Sequence, residues 1–314
     1  MPGLPPPRYA YLGPEGTFTE AALRSLPSAS KADLMPCSTV PAALDAVRQG
    51  EADGAMVPLE NSVEGSVAVT LDALAVGEPL LIAREVVLPV AFAVATRPGI
   101  APEDVRTIAT IPHAHAQVRA WLAEHLPGAA LLPTPSTADG ARVVAEGGAD
   151  AAVCAPIAAE RYGLVVLASD VHDALDAQTR FVLAVRPSGP PPPPTGWDRT
   201  SLVAFIADDH AGALLELLTE LAVRGVNLTR IESRPTGEGL GRYCFSIDCE
   251  GHVAEPRVGE ALAALRRTCL DLRFLGSYPR ADAAPESTPR RRGTSEAEFR
   301  DGAAWVERLR TGPV

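Results

Sequence analysis

The amino-acid sequence predicts an α/β protein in two parts: a two-lobed clamshell, then a smaller βαββαβ domain in the ferredoxin-like order. Three observations carry this expectation. Short apolar runs alternate with helical periodicity through the first part of the chain. A helix-then-strand series recurs there at an offset of 97 to 98 residues. Five consecutive prolines at 190–194 then form a stiff spacer, beyond which the element order changes.

In chain order, residues 9–12 read as a first strand, Gly13-Pro14-Glu15-Gly16 as a turn, and Thr17 or Thr19 as the cap of the next helix. Ser38-Thr39 opens a helix that runs out at Gly50-Glu51-Ala52-Asp53, and an apolar strand leads to Pro58. Ser136-Thr137, Gly147-Gly148-Ala149-Asp150, another apolar strand and Pro156 repeat the series. Such a repeat predicts two similar lobes with a cleft between them, where ligands of α/β proteins tend to sit. Thr179-Arg180-Phe181 stands just ahead of a strand at 182–185.

Beyond the spacer, a strand at 201–207 leads into a helix at 212–224 with Leu214, Leu217, Leu218 and Leu221 on one face. Strands at 227–234 and 243–249, a helix at 255–267 and a strand at 273–278 complete βαββαβ. So small a domain is expected to leave one sheet face exposed or open to a partner. From Ala281 the periodicity fades, with a short helix at 295–310 carrying Phe299, Trp305 and Leu309. The divisions are therefore 1–187, a linker at 188–199, 200–280 and a tail at 281–314.

Composition narrows the function. At 314 residues, 46% hydrophobic and 21% charged, the chain is ordinary globular material for two domains. A formal net charge of −11 argues against nucleic acid or an anionic membrane as partner, and requires a local positive site for any anionic substrate. The proline-rich start lacks the apolar run of a signal peptide, and the longest apolar stretch, 86–95, contains Pro89 and is about half a membrane span. Cys37, Cys154, Cys244, Cys249 and Cys269 form no CxxC pair and read as reduced thiols. The cytoplasm is the expected location.

Three segments have the chemistry of a site. The turn at 13–18 places backbone N–H groups ahead of a helix, where they can hold an anion, although neither GxGxxG nor GK[ST] is met. Pro58-Leu59-Glu60-Asn61-Ser62 ends an apolar strand ahead of a helix from Ser66, so three polar side chains sit where an α/β sheet opens to its ligand. Thr179-Arg180-Phe181 adds a hydroxyl, a cation and a ring. His113 and His115 could share a strand face, but no third ligand follows at metal spacing, and no Ser-His-Asp order with a nucleophile elbow is present.

Taken together these segments resemble the prephenate dehydratase family. The runs YLGPEGTFTEAAL (11–23), VPLENSVEGSVAVTLDAL (57–74) and TRF (179–181) look like that family's signatures. GALLELL (212–218) and NLTRIESRP (227–235) are similar to the phenylalanine-binding segments of the ACT domain attached to those enzymes. Departures are His113, where many members have glutamine in SHPQ; Asp176, where asparagine is frequent; and Ala211, in place of a proline.

The resemblance implies a periplasmic-binding-protein-like catalytic domain and a lyase of phenylalanine biosynthesis. Such an enzyme removes carbon dioxide and hydroxide from prephenate to give phenylpyruvate, with no cofactor and no metal. It implies Thr179 as the residue acting on the leaving hydroxyl and Arg180 as a nearby cation. Glu60 is left as either a general acid or a structural partner of Arg180. Asn61, Ser62, Thr17, Phe18, Gln117, His113 and Phe181 are the implied substrate contacts. L-phenylalanine is the implied effector, bound by Gly212, Ala213, Leu214, Asn227, Leu228, Glu232, Ser233 and Arg234 where ACT domains of a dimer or tetramer meet. Arogenate dehydratase and a non-catalytic clamshell binding protein are the alternative readings.

Overall fold

The structure, a computed structural model, describes residues 5–173, 177–206, 210–237, 239, 242–282 and 292–312. Two compact units divide it: Met1–Thr70 with Val86–Ala184, and Leu71–Glu85 with Val185–Val314.

The first unit opens with β1 (Arg8–Leu12), α1 (Phe18–Arg24), β2 (Asp33–Cys37), α2 (Val40–Arg48), β3 (Gly54–Asn61) and the short β4 (Gly65–Ser66). The unit boundary then falls inside α3 (Ala68–Ala75) and again inside β5 (Leu81–Pro89). There follow β6 (Ala93–Thr96), β7 (Thr107–Thr110), α4 (Pro112–Gln117), α5 (Arg119–His125), β8 (Ala130–Pro133) and α6 (Thr137–Ala145). The unit closes with β9 (Ala151–Cys154), α7 (Pro156–Arg161), β10 (Val165–Ala168) and β11 (Gln178–Val185).

These strands form two sheets, ordered β2-β1-β3-β11-β5 with β4 beside β3, and β10-β6-β9-β7-β8. The repeat seen in the sequence is built into both. In one, β1 runs parallel to β2 and β3; in the other, β7 runs parallel to β8 and β9. The matching helices α2 and α6 are each nine residues long, capped by Thr39 accepting from Ala42 N and by Ser136 accepting from Asp139 N. Even the buttress recurs: Asp53 Oδ2 accepts from Arg8 N at 2.8 Å, and Asp150 Oδ2 from Arg106 N at 3.0 Å. Each helix buries an apolar stripe, such as Val40, Ala43, Leu44 and Val47 of α2.

The second unit contains β12 (Asp198–Phe205), α8 (Ala213–Ala222), β13 (Leu228–Pro235), β14 (Tyr243–Glu250), α9 (Pro256–Thr268), β15 (Asp271–Pro279) and α10 (Glu296–Thr311). Its antiparallel sheet has the order β13-β14-β12-β15, the ferredoxin-like arrangement. Leu217, Leu221, Val258, Ala261 and Leu265 of the two helices pack on Leu202, Ala204, Phe245 and Ile247.

The other sheet face is not open as expected. Ser201, Ser246 and Asp248 on that face are buried, and residues 71–85 lie against the sheet. Arg234 pairs with Asp72, Arg273 donates to Gly77 O, and Arg199 pairs with Glu85. A Cβ at Gly276 would stand 2.6 Å from Ile82 O, so only glycine admits so close an approach. Helix α10 carries a Ser295–Glu298 capping box and buries no residue. All five cysteines are free, and no helix among the described residues is long and apolar enough to cross a membrane.

Candidate active site

Thr179 and Phe181 line a cavity of about 910 Å³ in the first unit. The sequence placed them ahead of a strand, but they lie within β11. Alternation along the strand therefore decides their directions. Thr179 and Phe181 share the cavity face. Arg180 points the other way, is 7% exposed, and donates to Glu60 Oε2 at 3.0 Å.

The end of β3 and the start of β11 are joined closely, although 118 residues separate Asn61 from Thr179. Ser62 N donates to Gln178 O and Gln178 N donates to Ser62 Oγ, both at 2.9 Å. Asn61 Oδ1 accepts from Val63 N at 2.8 Å and Glu64 N at 3.0 Å, fixing the amide. Its Nδ2 then donates to Thr179 Oγ1 at 2.8 Å. Three of the hydrogen-bonding positions of Asn61 are thereby used, and the threonine oxygen is the acceptor.

The turn before α1 forms another wall. Thr17 caps the helix, accepting from Glu20 N at 3.3 Å while its hydroxyl donates to Leu12 O at 3.0 Å. Phe18 meets Phe92 edge-on, with centroids 5.6 Å apart. Glu20, fully buried, accepts from Gly16 N, Arg24 and Arg161 at 2.6 to 2.7 Å. Burial alone would raise its pKa, but these donors outweigh it and hold the carboxyl below its ordinary 4.5. A Cβ at Gly16, where φ is +89°, would approach Ala158 Cα to 3.1 Å, so this turn needs glycine.

The other walls come from the starts of α2 and α6, through Ser38, Ser136 and Thr137, and from Pro58, Ile111, Asp139 and Tyr162. No lysine or arginine is among the described residues that line the cavity. Two carboxylates, Glu15 and Asp139, are on the lining, and the groups there suited to an anion are the backbone N–H groups at the helix starts, which lack intrahelical partners.

Of the sequence-predicted residues, Thr17, Phe18, Thr179 and Phe181 line the cavity. Asn61 and Ser62 stand behind Thr179, holding it and its strand. Glu60 and Arg180 are paired with each other. Gln117 and His113 lie on α4 and reach Glu64, from Gln117 Nε2 to Oε1 at 3.1 Å and from His113 Nδ1 to Oε2 at 3.4 Å. His113 and His115 thus belong to a helix, where i and i+2 do not share a face. No group of three His, Cys, Asp or Glu close enough to hold a metal occurs among the described residues. Asp176 lies outside the described residues.

The family model described as prephenate dehydratase matches residues 9–188, more than half of the chain. The chain belongs to the prephenate dehydratase family. An ACT domain model matches residues 201–267. The prephenate dehydratase of Amycolatopsis methanolica is 54% identical over 306 residues, 97% of this chain and 98% of that one. That of Mycobacterium ulcerans (strain Agy99) is 51% identical over 313 residues, 97% and 96% of the two chains. The crystal structure of prephenate dehydratase in complex with L-Phe from Arthrobacter aurescens is 50% identical, with a TM-score of 0.91 over 97% of this chain and all (100%) of that one.

The candidate effector residues of the region matched by the ACT domain model fall in two places. Gly212, at φ +100°, starts α8 ahead of buried Ala213 and exposed Leu214. Asn227, Leu228, Glu232, Ser233 and Arg234 lie on or beside β13, with Leu228, Glu232 and Arg234 on its more buried face. Arg234 donates from Nε and Nη2 to the two carboxylate oxygens of Asp72, at 2.9 and 2.8 Å.

Sequence reasoning passed over Glu20, Arg161, Tyr162, Asp139 and Ser38 as site residues. For Ser38 and Ser136 the signal was present, since both open the repeated helices.

Proposed function

We propose that the chain converts prephenate to phenylpyruvate, under control by L-phenylalanine. The observation that carries the reading is the hydrogen bond from Asn61 to Thr179 Oγ1 at 2.8 Å. Because the threonine oxygen accepts there, its own O–H is left to donate elsewhere, and Thr179 lines the cavity.

In the reaction the bond between ring carbon and carboxylate breaks, and its electron pair flows into the ring as carbon dioxide leaves. The ring double bonds shift toward C4, the C4–O bond breaks in concert, and its oxygen departs with the C4–O bonding pair as hydroxide. Thr179 donates a hydrogen bond to this oxygen as charge develops. A threonine hydroxyl is too weak an acid to transfer its proton fully, so its action is electrostatic, and water supplies the proton afterwards. The two carboxylates are received by the starts of α2 and α6, beside Ser38 and Ser136-Thr137. Phe18, Phe181 and Ile111 keep water from the ring. Arg180 and Glu60 hold β11 and β3 in register and do not touch the substrate.

L-phenylalanine acts at the ACT domain, with its carboxylate at the start of α8 and residues 227–234 facing it across an interface with a second copy. The L-Phe complex of the Arthrobacter aurescens protein supports this reading. The enzyme works in the cytoplasm as a homo-oligomer.

Steady-state kinetics test the role of Thr179. Thr179→Val should lower kcat by about 10²-fold with KM nearly unchanged, the size seen on removing an oxyanion donor. Thr179→Ser should retain most activity. A valine variant with wild-type turnover would remove Thr179 from the mechanism.

A further inference from the structure

Glu64 occupies the turn between β3 and β4, directly after the Asn61 that holds Thr179. Its N–H donates to Asn61 Oδ1 at 3.0 Å. Its carboxylate reaches the other sheet's lobe: Oε1 accepts from Gln117 Nε2 at 3.1 Å, and Oε2 lies 3.4 Å from His113 Nδ1. His113 and Gln117 are four residues apart on α4, so they share one face of that helix. The helix is itself braced, since Gln117 O accepts from Asp173 N at 2.7 Å and Asp173 Oδ2 from Ala120 N at 3.2 Å. None of Glu64, His113 and Gln117 lines the cavity.

The geometry points to Glu64 as a positioning residue. Together with Gln117 and His113 it forms a clasp that ties the Asn61 turn to α4, and so holds the two lobes around the pocket with the Thr179 hydroxyl aimed. The inference rests on the reading that the pocket turns over prephenate, but it assigns to this trio a role other than substrate contact. It also gives the His113 departure a physical sense. A histidine here stands 3.4 Å from Glu64 Oε2 and pairs with it when its ring is protonated, beside the hydrogen bond that Gln117 makes. The members of the clasp are exposed, His113 by 73% of its side chain. Each bond is therefore individually weak, and removing one should alter positioning without unfolding the protein.

A double-mutant cycle with an exchange of partners tests this. Glu64→Ala and Gln117→Ala should each lower kcat/KM by about 3- to 10-fold, and the double variant should be no worse than the weaker single one. Gln117→Glu sets two carboxylates face to face and should lower activity, whereas adding Glu64→Gln restores a donor facing an acceptor and should recover it. Amide hydrogen exchange of Val63 and Glu64, measured without substrate, should quicken in Gln117→Ala. That arm stands even if prephenate proves not to be the substrate. Multiplicative losses in the double variant, or no change of exchange in the turn, would overturn the clasp and return Gln117 and His113 to substrate contacts.

Discussion

At the scale of single residues, the site depends on side chains whose partners are remote in sequence. Glu20 is the clearest case, with Arg161 141 positions away. Its folded pKa lies below 4.5, so its stabilising contribution is complete above that value and is lost as pH falls through the lowered pKa. Urea denaturation at a series of pH values should show the wild type losing stability more steeply below about pH 4.5 than Glu20→Gln. Parallel curves would mean that the carboxylate contributes nothing. Thr179, Asn61 and Phe18 were legible as members of motifs. That Arg180 turns from the pocket was not, because the sequence reading began the strand at Val182, and alternation cannot be applied to residues taken as a loop. Glu20 gave no sign at all: one acidic residue in a helix's first turn looks like any favourable dipole partner.

Among elements, the repeat was the most informative pattern, since capping, helix length and strand pairing recur together at the same offset. Helix α4 was misjudged. An HxH pair suggested a strand, while Pro112 at the first helical position was the overlooked signal. The covered face of the ACT sheet could not be foreseen, because the segment that covers it lies over a hundred residues upstream. Its apolar pattern is one that any neighbouring unit could bury. The anchor of that segment is the Glu85–Arg199 pair, 1% and 9% exposed, with Glu85 also accepting from Ala281 N. Glu85→Ala leaves a buried guanidinium without its counter-charge and should destabilise the second unit by about 3–5 kcal/mol. Asp271→Ala, which breaks the exposed pair with Arg266, should change stability by less than about 1 kcal/mol. Equal effects in chemical denaturation would remove the segment's anchoring role.

For the molecule as a whole, the proline spacer and the change of element order are the marks by which the sequence divides the chain. The structure groups Leu71–Glu85 with the second unit. A chain cut after the spacer would part Asp72, Gly77, Ile82 and Glu85 from the sheet residues they meet, so regulation should be measured on the intact protein. Relatives 54% and 51% identical to this chain are prephenate dehydratases, so the keto acid prephenate, and not its amino-acid analogue arogenate, is the expected substrate. Following product formation by the purified full-length chain, with each acid and with rising L-phenylalanine, is the most direct test. Phenylpyruvate should form from prephenate, little product from arogenate, and turnover should fall as phenylalanine binds. Phenylalanine formed from arogenate with no phenylpyruvate from prephenate would contradict this expectation.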